Sequence, residues 1–506
     1  MNESIMTNSL GSFFFRNIHS NFMHNEQIYT PPKVVNFILD NVGFSNRYGI
    51  DGKHIIDNSC GNGNFLVEIV KRIFRFISNA DKEYLETYVH GIEIDECAYN
   101  ETINRLNKIA TEHNVMDVNW DIRNSDALTT TDFDNCMDYV VGNPPYCNVH
   151  HMSRANYDLL KTKFFFCSDG MTDLYIGFFE KGIQMLKRDG ILGYITPNSW
   201  LTSKAGYWLR DHLYEHNSLQ KLYNFDTDKL FNDVTTFTCI TIIDNNRSFD
   251  DDNIVVYHGN FNDLTNNKQY GTVVNKHDIY VGEKILTNLK DEVIRNIIDY
   301  EIKDYEKRFI VKNGLATLKD KLFILDPDDK DANVDIYVDL YCNEIIDCVK
   351  ASKGEFKYII YPYDDSGKPV SYDNLCLYVR SLLERRAERL EIDTTQENWY
   401  LYGRTQAIKD VNKYRVSCNN LIRDQKDVIL RQLPSETAVY SGYYVLRKNM
   451  TQSREAMLQL FHQVEDALKT PLFIDYVKSI GKSKNGGYYT FSSKELEDFL
   501  NFYYQV

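Results

Sequence analysis

The chain has 506 residues, 43% of them hydrophobic and 25% charged, which suits two or three folded domains and excludes wholesale disorder or a collagen-like repeat. Its 57 basic and 72 acidic side chains give a formal net charge of −15, an unfavourable sum for binding a polyanion. Without a run of about 18 uncharged apolar residues, a basic–apolar leader pattern or a CxxC pair among ten cysteines, the sequence leads us to expect no membrane span and no export. It fits neither a disulfide scaffold nor a zinc ribbon, and points to a reducing cytoplasm.

The first 245 residues alternate short apolar runs with amphipathic stretches. HIIDNSC (54–60) reads as a buried strand that ends in a glycine turn, followed by a helix with apolar spacing in FLVEIVKRIFRFI. YVHGIEID (88–95) is a second strand, ECAYNETINRLNKIA its helix, and NWDIRNSDAL a third strand and turn. MDYVVGNPP (137–145) is a fourth strand halted by two prolines. DLYIGFFEKGIQMLKRDG reads as a helix closed by Gly190, then ILGYITPN as a strand, and FTCITIID (237–244) as a β-branched strand. Such alternation predicts a mainly parallel sheet covered on both faces. From about residue 290 it fades into a less regular α+β region with an Arg-rich helix over 377–392. The expected division is a first domain over 1–260, a linker or domain-edge segment over 261–290, and a second domain over 291–506.

Three motifs carry chemistry. In DNSCGNGNF (57–65), glycines after a strand allow a tight turn and close backbone approach to a ligand, while the following helix offers free amides. The G-K-[ST] ending of a phosphate loop is missing, which disfavours a nucleoside triphosphate. In GIEID (91–95), Glu93 is placed to accept ribose hydroxyls. Asp126, after the third strand, is placed to accept from an adenine amino group. Taken singly, a structural turn and two exposed acids would look the same. The third motif, VVGNPPY (140–146), is the most specific. The prolines stiffen the turn, so that the Asn143 amide and the Pro144 carbonyl offer two acceptors to a planar amine, with the Tyr146 ring beside them.

In this order and spacing, DNSCGNGNF, GIEID, NSDAL and GNPPY resemble the S-adenosylmethionine-dependent DNA N6-adenine methyltransferases. QIYTPPKVVNFIL (27–39) is similar to the N-terminal motif of the gamma-order, TaqI-like members. WYLYGRTQ (399–406) and GGYYTFS (486–492) resemble the specificity region of Eco-type members of restriction–modification systems. The resemblance implies a doubly wound, Rossmann-like class I methyltransferase domain (α/β) with a C-terminal α+β target-recognition domain. It also implies cofactor contacts from Tyr29, Thr30, Asp57, Ser59, Cys60, Gly61, Glu93, Ile94, Asp126 and Asn143. The catalytic residues would be Asn143, Pro144 and Tyr146, with Tyr146 and Phe231 stacking on an extruded base. One departure is Asn58 at the second position of the glycine motif, where many relatives carry proline.

The implied partner is double-stranded DNA, with a cognate restriction endonuclease as a further partner and neither membrane nor metal involved. The implied setting is the bacterial cytoplasm, with the enzyme on the nucleoid in use. Residues 401–506 carry 15 basic and 11 acidic side chains against 22 and 32 in residues 1–250, so a polyanion would dock near the C-terminus. Arg404, Gln406, Lys482 and Lys484 are the candidate DNA contacts. Arg380, Arg385, Arg386 and Arg389 share one helix with Glu384 and Glu388, and a solvated, salt-bridged face is the favoured account of them. Adjacent His150 and His151 would point to opposite faces of a strand, so a polar loop is expected rather than a metal site. A protein glutamine N5-methyltransferase, which grips a flat amide with the same NPPY loop, remains the alternative.

Overall fold

The computed structural model describes residues 30–146, 152, 154–225, 230, 237–248, 250–266, 271–288, 292–327, 342–484 and 486–505. Tyr29, His150, His151 and Phe231 lie outside this set, as does the side chain of Lys482. The chain divides into two compact units, Met1–Leu289 and Lys290–Val506. Among the described residues no helix is long and apolar enough to cross a membrane.

The first unit is built on one nine-stranded sheet: β1 (Ile55–Asp57), β2 (Val89–Glu93), β3 (Asp121–Asn124), β4 (Met137–Gly142), β5 (Leu186–Pro197), β6 (Leu219–Phe225), β7 (Thr238–Asp244), β8 (Asn253–His258) and β9 (Thr272–Asn275). The order across the sheet is β3-β2-β1-β4-β5-β7-β6-β8-β9. The pairs from β3 to β5 are parallel, and β7 runs antiparallel to both of its neighbours. The chain thus reverses its winding between β1 and β4, where an open α/β sheet leaves a crevice at the strand carboxyl ends. This is the doubly wound α/β arrangement expected from the motifs.

Neighbouring residues of the strands feed opposite cores. Ile55 and Val141 pack with helices α1 (Pro32–Asn41), α2 (Asn64–Phe76) and α3 (Glu96–Glu112). Ile56 and Val140 pack with α4 (Leu174–Met185) and α5 (Tyr207–Glu215). The caps are legible: Pro32 occupies the first turn of α1, where its missing N–H costs nothing, and the Asp95 side chain accepts from the Ala98 amide to start α3. The expected closure of α4 at Gly190 is wrong by five residues. Leu186 is buried and pairs with Met137 on β4, and Lys187 Nζ reaches Asp138 at 2.7 Å, so LKRDG enters the sheet instead. Residues 253–275, beyond the polar segment 245–253, still extend this sheet through β8 and β9.

The second unit is α+β. One four-stranded antiparallel sheet takes Phe309–Asn313, Tyr443–Arg447, Arg415–Cys418 and Leu430–Leu433 in that spatial order. A second mixed sheet takes Ile324–Leu325, Glu355–Ile360, Ile345–Lys350 and Thr437–Tyr440. A three-stranded sheet takes Leu421–Ile422, Tyr488–Thr490 and Lys482–Lys484. The Arg-rich segment forms α6 (Leu377–Arg389), but Arg386 is not a surface residue. It is 3% exposed, and its Nη1 donates to the carbonyls of Lys321, Leu322 and Ile324. Elsewhere in this unit Cys342 and Cys376 are joined, with Cα atoms 6.0 Å apart. The fold brings these residues together from 34 positions apart, and no short spacing announces it.

The C-terminal helix α7 (Ser493–Tyr503) is locked to this unit through Asn501. Its Oδ1 accepts from the amides of Arg308 and Phe309, and its Nδ2 donates to the carbonyls of Phe309 and Glu497, from a fully buried side chain. Asn501→Leu strands these groups, and each unsatisfied buried amide costs roughly 1–3 kcal/mol. The expected result is a loss of about 3 kcal/mol in the urea unfolding of the second unit, with the first-unit transition unmoved.

Candidate active site

The candidate residues sit where β1, β2, β3 and β4 end. After Asp57 the chain turns through Ser59–Gly63, and Gly63 begins α2 with φ at 85° in the left-handed region that glycine tolerates. The turn is fixed from the side by α3: Thr102 Oγ1 donates to the Gly61 carbonyl at 2.8 Å, and Arg105 donates to the Asn62 carbonyl. Asn64 Nδ2 donates to the Thr30 carbonyl at 3.2 Å, which brings the buried Thr30 to the same loop. Asn58 is buried and accepts from the Tyr194 hydroxyl at 2.8 Å, so this departure from the family pattern is absorbed by the sheet.

Glu93 ends β2 with a buried carboxylate. Its Oε2 accepts from the Gly61 amide at 2.7 Å and its Oε1 from the Asp95 amide at 2.8 Å. These bonds orient the group and oppose the rise in pKa that burial imposes on it. Ile94, half-buried, follows, and its carbonyl accepts from Asn124 Nδ2. Asp126 is 6% exposed; Oδ1 accepts from the Leu128 amide at 2.9 Å, while Oδ2 has no hydrogen-bond partner. Burial lifts this carboxyl to about 6. The hydroxyl of Ser59 is the second buried polar atom of the site without a partner. Cys60 is buried and its thiol is raised well above the usual range, which makes it a wall of the site and a poor nucleophile.

Asp57 joins these groups to the NPPY turn. A Cβ on Gly142 would lie 2.8 Å from Asp57 Oδ1 and 3.6 Å from Ser59 Oγ, so glycine is needed for β4 to end against the β1 carboxylate. One residue later stands Asn143, half-buried, then the buried Pro144. The Tyr146 hydroxyl donates to Asn143 Oδ1 at 2.6 Å, and its ring meets Tyr175 edge-on at 6.4 Å. Tyr175 in turn shares a hydrogen bond with Ser199 at 2.9 Å. Tyr175 and Ser199 were not picked out from sequence. The segments DLY and TPNS begin 27 and 50 residues beyond NPPY, and only the closing of α4 and β5 onto β4 brings them to it.

The structure therefore gathers Thr30, Asp57, Ser59, Cys60, Gly61, Glu93, Ile94, Asp126, Asn143, Pro144 and Tyr146 around the carboxyl ends of adjacent strands. The second-unit candidates are scattered by comparison. Arg404 is exposed; Gln406, also exposed, donates from Nε2 to the Gly314 carbonyl at 2.8 Å; Lys484 is exposed on a strand edge of the three-stranded sheet. Arg423, not singled out earlier, lies over the Tyr488 ring at 5.0 Å on that same sheet.

Burial raises Asp57 to about 8 from 3.8, with Glu93 adding to the rise and the Ser59 amide opposing it. The folded state therefore holds this proton more tightly than the unfolded chain does. The contribution of Asp57 to stability is fully present below the unfolded value and is lost as pH climbs from about 4 to about 8, and that of Asp126 is lost by about 6. The expected outcome for Asp57→Asn is a visibly shallower loss of stability across that range in urea titrations. An unchanged slope would place the Asp57 proton elsewhere.

Residues 63–231 match the Eco57I restriction-modification methylase family, which bears out the resemblance read from the motifs. The chain is 23% identical over 495 residues to the type II restriction enzyme and methyltransferase RM.Eco57I of Escherichia coli, covering 76% of this chain and 48% of that protein. It is 24% identical over 397 residues to the type II methyltransferase M.BstVI of Geobacillus stearothermophilus, covering 70% and 69%. Among solved structures, a nuclease-deletion mutant of the type ISP restriction-modification enzyme LlaGI in complex with a DNA substrate mimic superposes with a TM-score of 0.59 at 13% identity. That match covers 92% of this chain and 53% of LlaGI, so the chain spans about half the length of both RM.Eco57I and LlaGI. The likeness to LlaGI is one of fold.

Proposed function

We propose, for a chain whose residues 63–231 match the Eco57I restriction-modification methylase family, that it transfers a methyl group from S-adenosylmethionine to the exocyclic N6 amine of an adenine flipped out of duplex DNA. The observation that supports this reading is the close approach of Gly142, the residue before Asn143, to the Asp57 carboxylate at the end of β1. The donor set fits the cofactor. Asp126 Oδ2 and Ser59 Oγ are buried acceptors without partners, suited to an adenine amino group and to the polar methionine or ribose end. Glu93 is held by backbone amides in an orientation that suits ribose hydroxyls. Thr30, Cys60, Gly61 and Ile94 line the same pocket in this reading, with Tyr29 completing its methionine end.

When bound, S-adenosylmethionine supplies an electrophilic methyl on a positively charged sulfur. The protein's part is to make a poor nucleophile react. An adenine amine delocalises its lone pair into the ring; two acceptors, Asn143 Oδ1 and the Pro144 carbonyl, draw its two N–H bonds and let the nitrogen pyramidalise toward the methyl. No strong base is required, so positioning and electrostatics carry the rate. The incoming amine competes with the Tyr146 hydroxyl for Asn143 Oδ1. Tyr146 then keeps its ring for stacking, joined by Phe231, and offsets part of the few kcal/mol that extrusion of a base costs.

In the same reading residues 1–260 form the methyltransferase domain, 261–290 its edge, and 291–506 the target-recognition domain, with Arg404, Gln406, Lys482 and Lys484 as DNA contacts. A restriction activity, in the same protein or in a companion, is the setting this family proposes.

The test is transfer of labelled methyl from S-adenosylmethionine to unmethylated genomic DNA, followed by digestion to nucleosides. Label in N6-methyladenine supports the reading; label in an added protein extract and none in DNA moves it to glutamine N5. Asn143→Ala is expected to lower kcat by about 100-fold or more while S-adenosylmethionine affinity, measured by calorimetry, stays within a few fold. Tyr146→Phe is expected to keep transfer within about tenfold of wild type, whereas Tyr146→Ala, which removes the stacking ring worth about 1–3 kcal/mol, falls much further. Equal losses in both would contradict the division between ring and hydroxyl.

A further inference from the structure

The second unit holds a chemical group that methyl transfer does not use. Cys342 is 4% exposed just before the strand Ile345–Lys350, and Cys376 is the half-buried N-cap residue of the 13-residue helix α6. Their sulfurs are bonded across a Cα separation of 6.0 Å, inside the usual disulfide range. The Cys376 amide donates to Glu344 Oε1 at 3.0 Å, which holds the start of α6 against the segment that carries Cys342. A thiol at a helix N-terminus faces the positive end of the helix dipole, and its thiolate is stabilised there. Five other cysteines are in the opposite situation: Cys60, Cys167, Cys239, Cys348 and Cys418 are buried, and burial raises each thiol above its ordinary range, while the exposed Cys97 and Cys136 are free thiols.

We propose that Cys342 and Cys376 are a reversible thiol–disulfide couple that exchanges with low-molecular-weight disulfides of the glutathione class, with Cys376 as the entry thiol and Cys342 as the resolving one. In the first step the Cys376 thiolate attacks one sulfur of the external disulfide. A mixed disulfide forms, and one external thiolate leaves and takes up a proton. In the second step Cys342 gives its proton to solvent, attacks the Cys376 sulfur and expels the second external thiolate. Two protein thiols are oxidised and one external disulfide is reduced to two thiols. The assignment of roles follows from access and charge: Cys376 is the more exposed of the two and sits at the helix N-terminus, while Cys342 is shielded and already within reach of it. The couple closes a loop between positions separated by 34 residues, which restricts the unfolded chain and favours the folded second unit. This inference is independent of the methyl-transfer reading.

The same three groups, Cys342, Glu344 and Cys376, also present ligand atoms within 4.8 Å of one another, so a bound metal ion is the competing outcome. The experiment equilibrates the full chain over a series of reduced-to-oxidised glutathione ratios, quenches in acid, blocks free thiols with N-ethylmaleimide and maps the peptides. The expected result is joint loss of label at Cys342 and Cys376, at a less oxidising ratio than for any other cysteine. In Cys342→Ser a glutathione adduct accumulates on Cys376, and in Cys376→Ser no adduct appears on Cys342. The wild-type map decides the matter even if a variant does not fold. Both cysteines remaining labelled at the most oxidising ratio would overturn the proposal. So would an adduct on Cys342 in place of Cys376, or one equivalent of zinc released when the thiols of the purified chain are blocked.

Discussion

The end of β4 lies so close to the end of β1 that Gly142 has no room for a side chain beside the Asp57 carboxylate. That approach brings two separate turns, one rich in glycine and one in proline, together at the carboxyl ends of adjacent strands. Parallel neighbours at the centre of the sheet make it possible, because every strand from β3 to β5 ends on the same side. The helices on either face then have little to do with chemistry directly. They fix the strand ends, as α3 does when Thr102 and Arg105 seize the carbonyls of the glycine turn.

Electrostatics sharpen the same picture. Three carboxyls, Asp57, Glu93 and Asp126, are buried within the cleft region, and burial raises all three. A folded protein keeps such groups at a cost to its stability when they are charged. The backbone amides of Ser59, Gly61, Asp95 and Leu128 recover part of that cost by donating to them. Asp126 Oδ2 receives no such help, and this is where a ligand amino group would be most favourable.

Much of the first unit was legible because its signals are local. A short apolar run followed by glycine and an amphipathic stretch can hardly be read otherwise, and the caps at Pro32 and Asp95 sit where residue chemistry puts them. What failed was what depends on distant partners. LKRDG looks helical in isolation, yet Leu186 finds Met137 and Lys187 finds Asp138 across the sheet. Arg386 looks like one of several surface arginines, yet it donates to carbonyls near residue 322 from within the core. The Tyr146–Asn143 hydrogen bond is three residues long in sequence, but its role depends on Tyr175 and Ser199 closing from other elements. The cross-link between Cys342 and Cys376 had no sequence signature at all.

A structure of the chain crystallised with S-adenosylhomocysteine tests the shared cleft most directly. The account predicts ribose hydroxyls on Glu93, the adenine amino group on Asp126 Oδ2, and the sulfur directed toward Asn143. A ligand bound away from the strand ends, or one whose adenine leaves Asp126 Oδ2 without a partner, would contradict it.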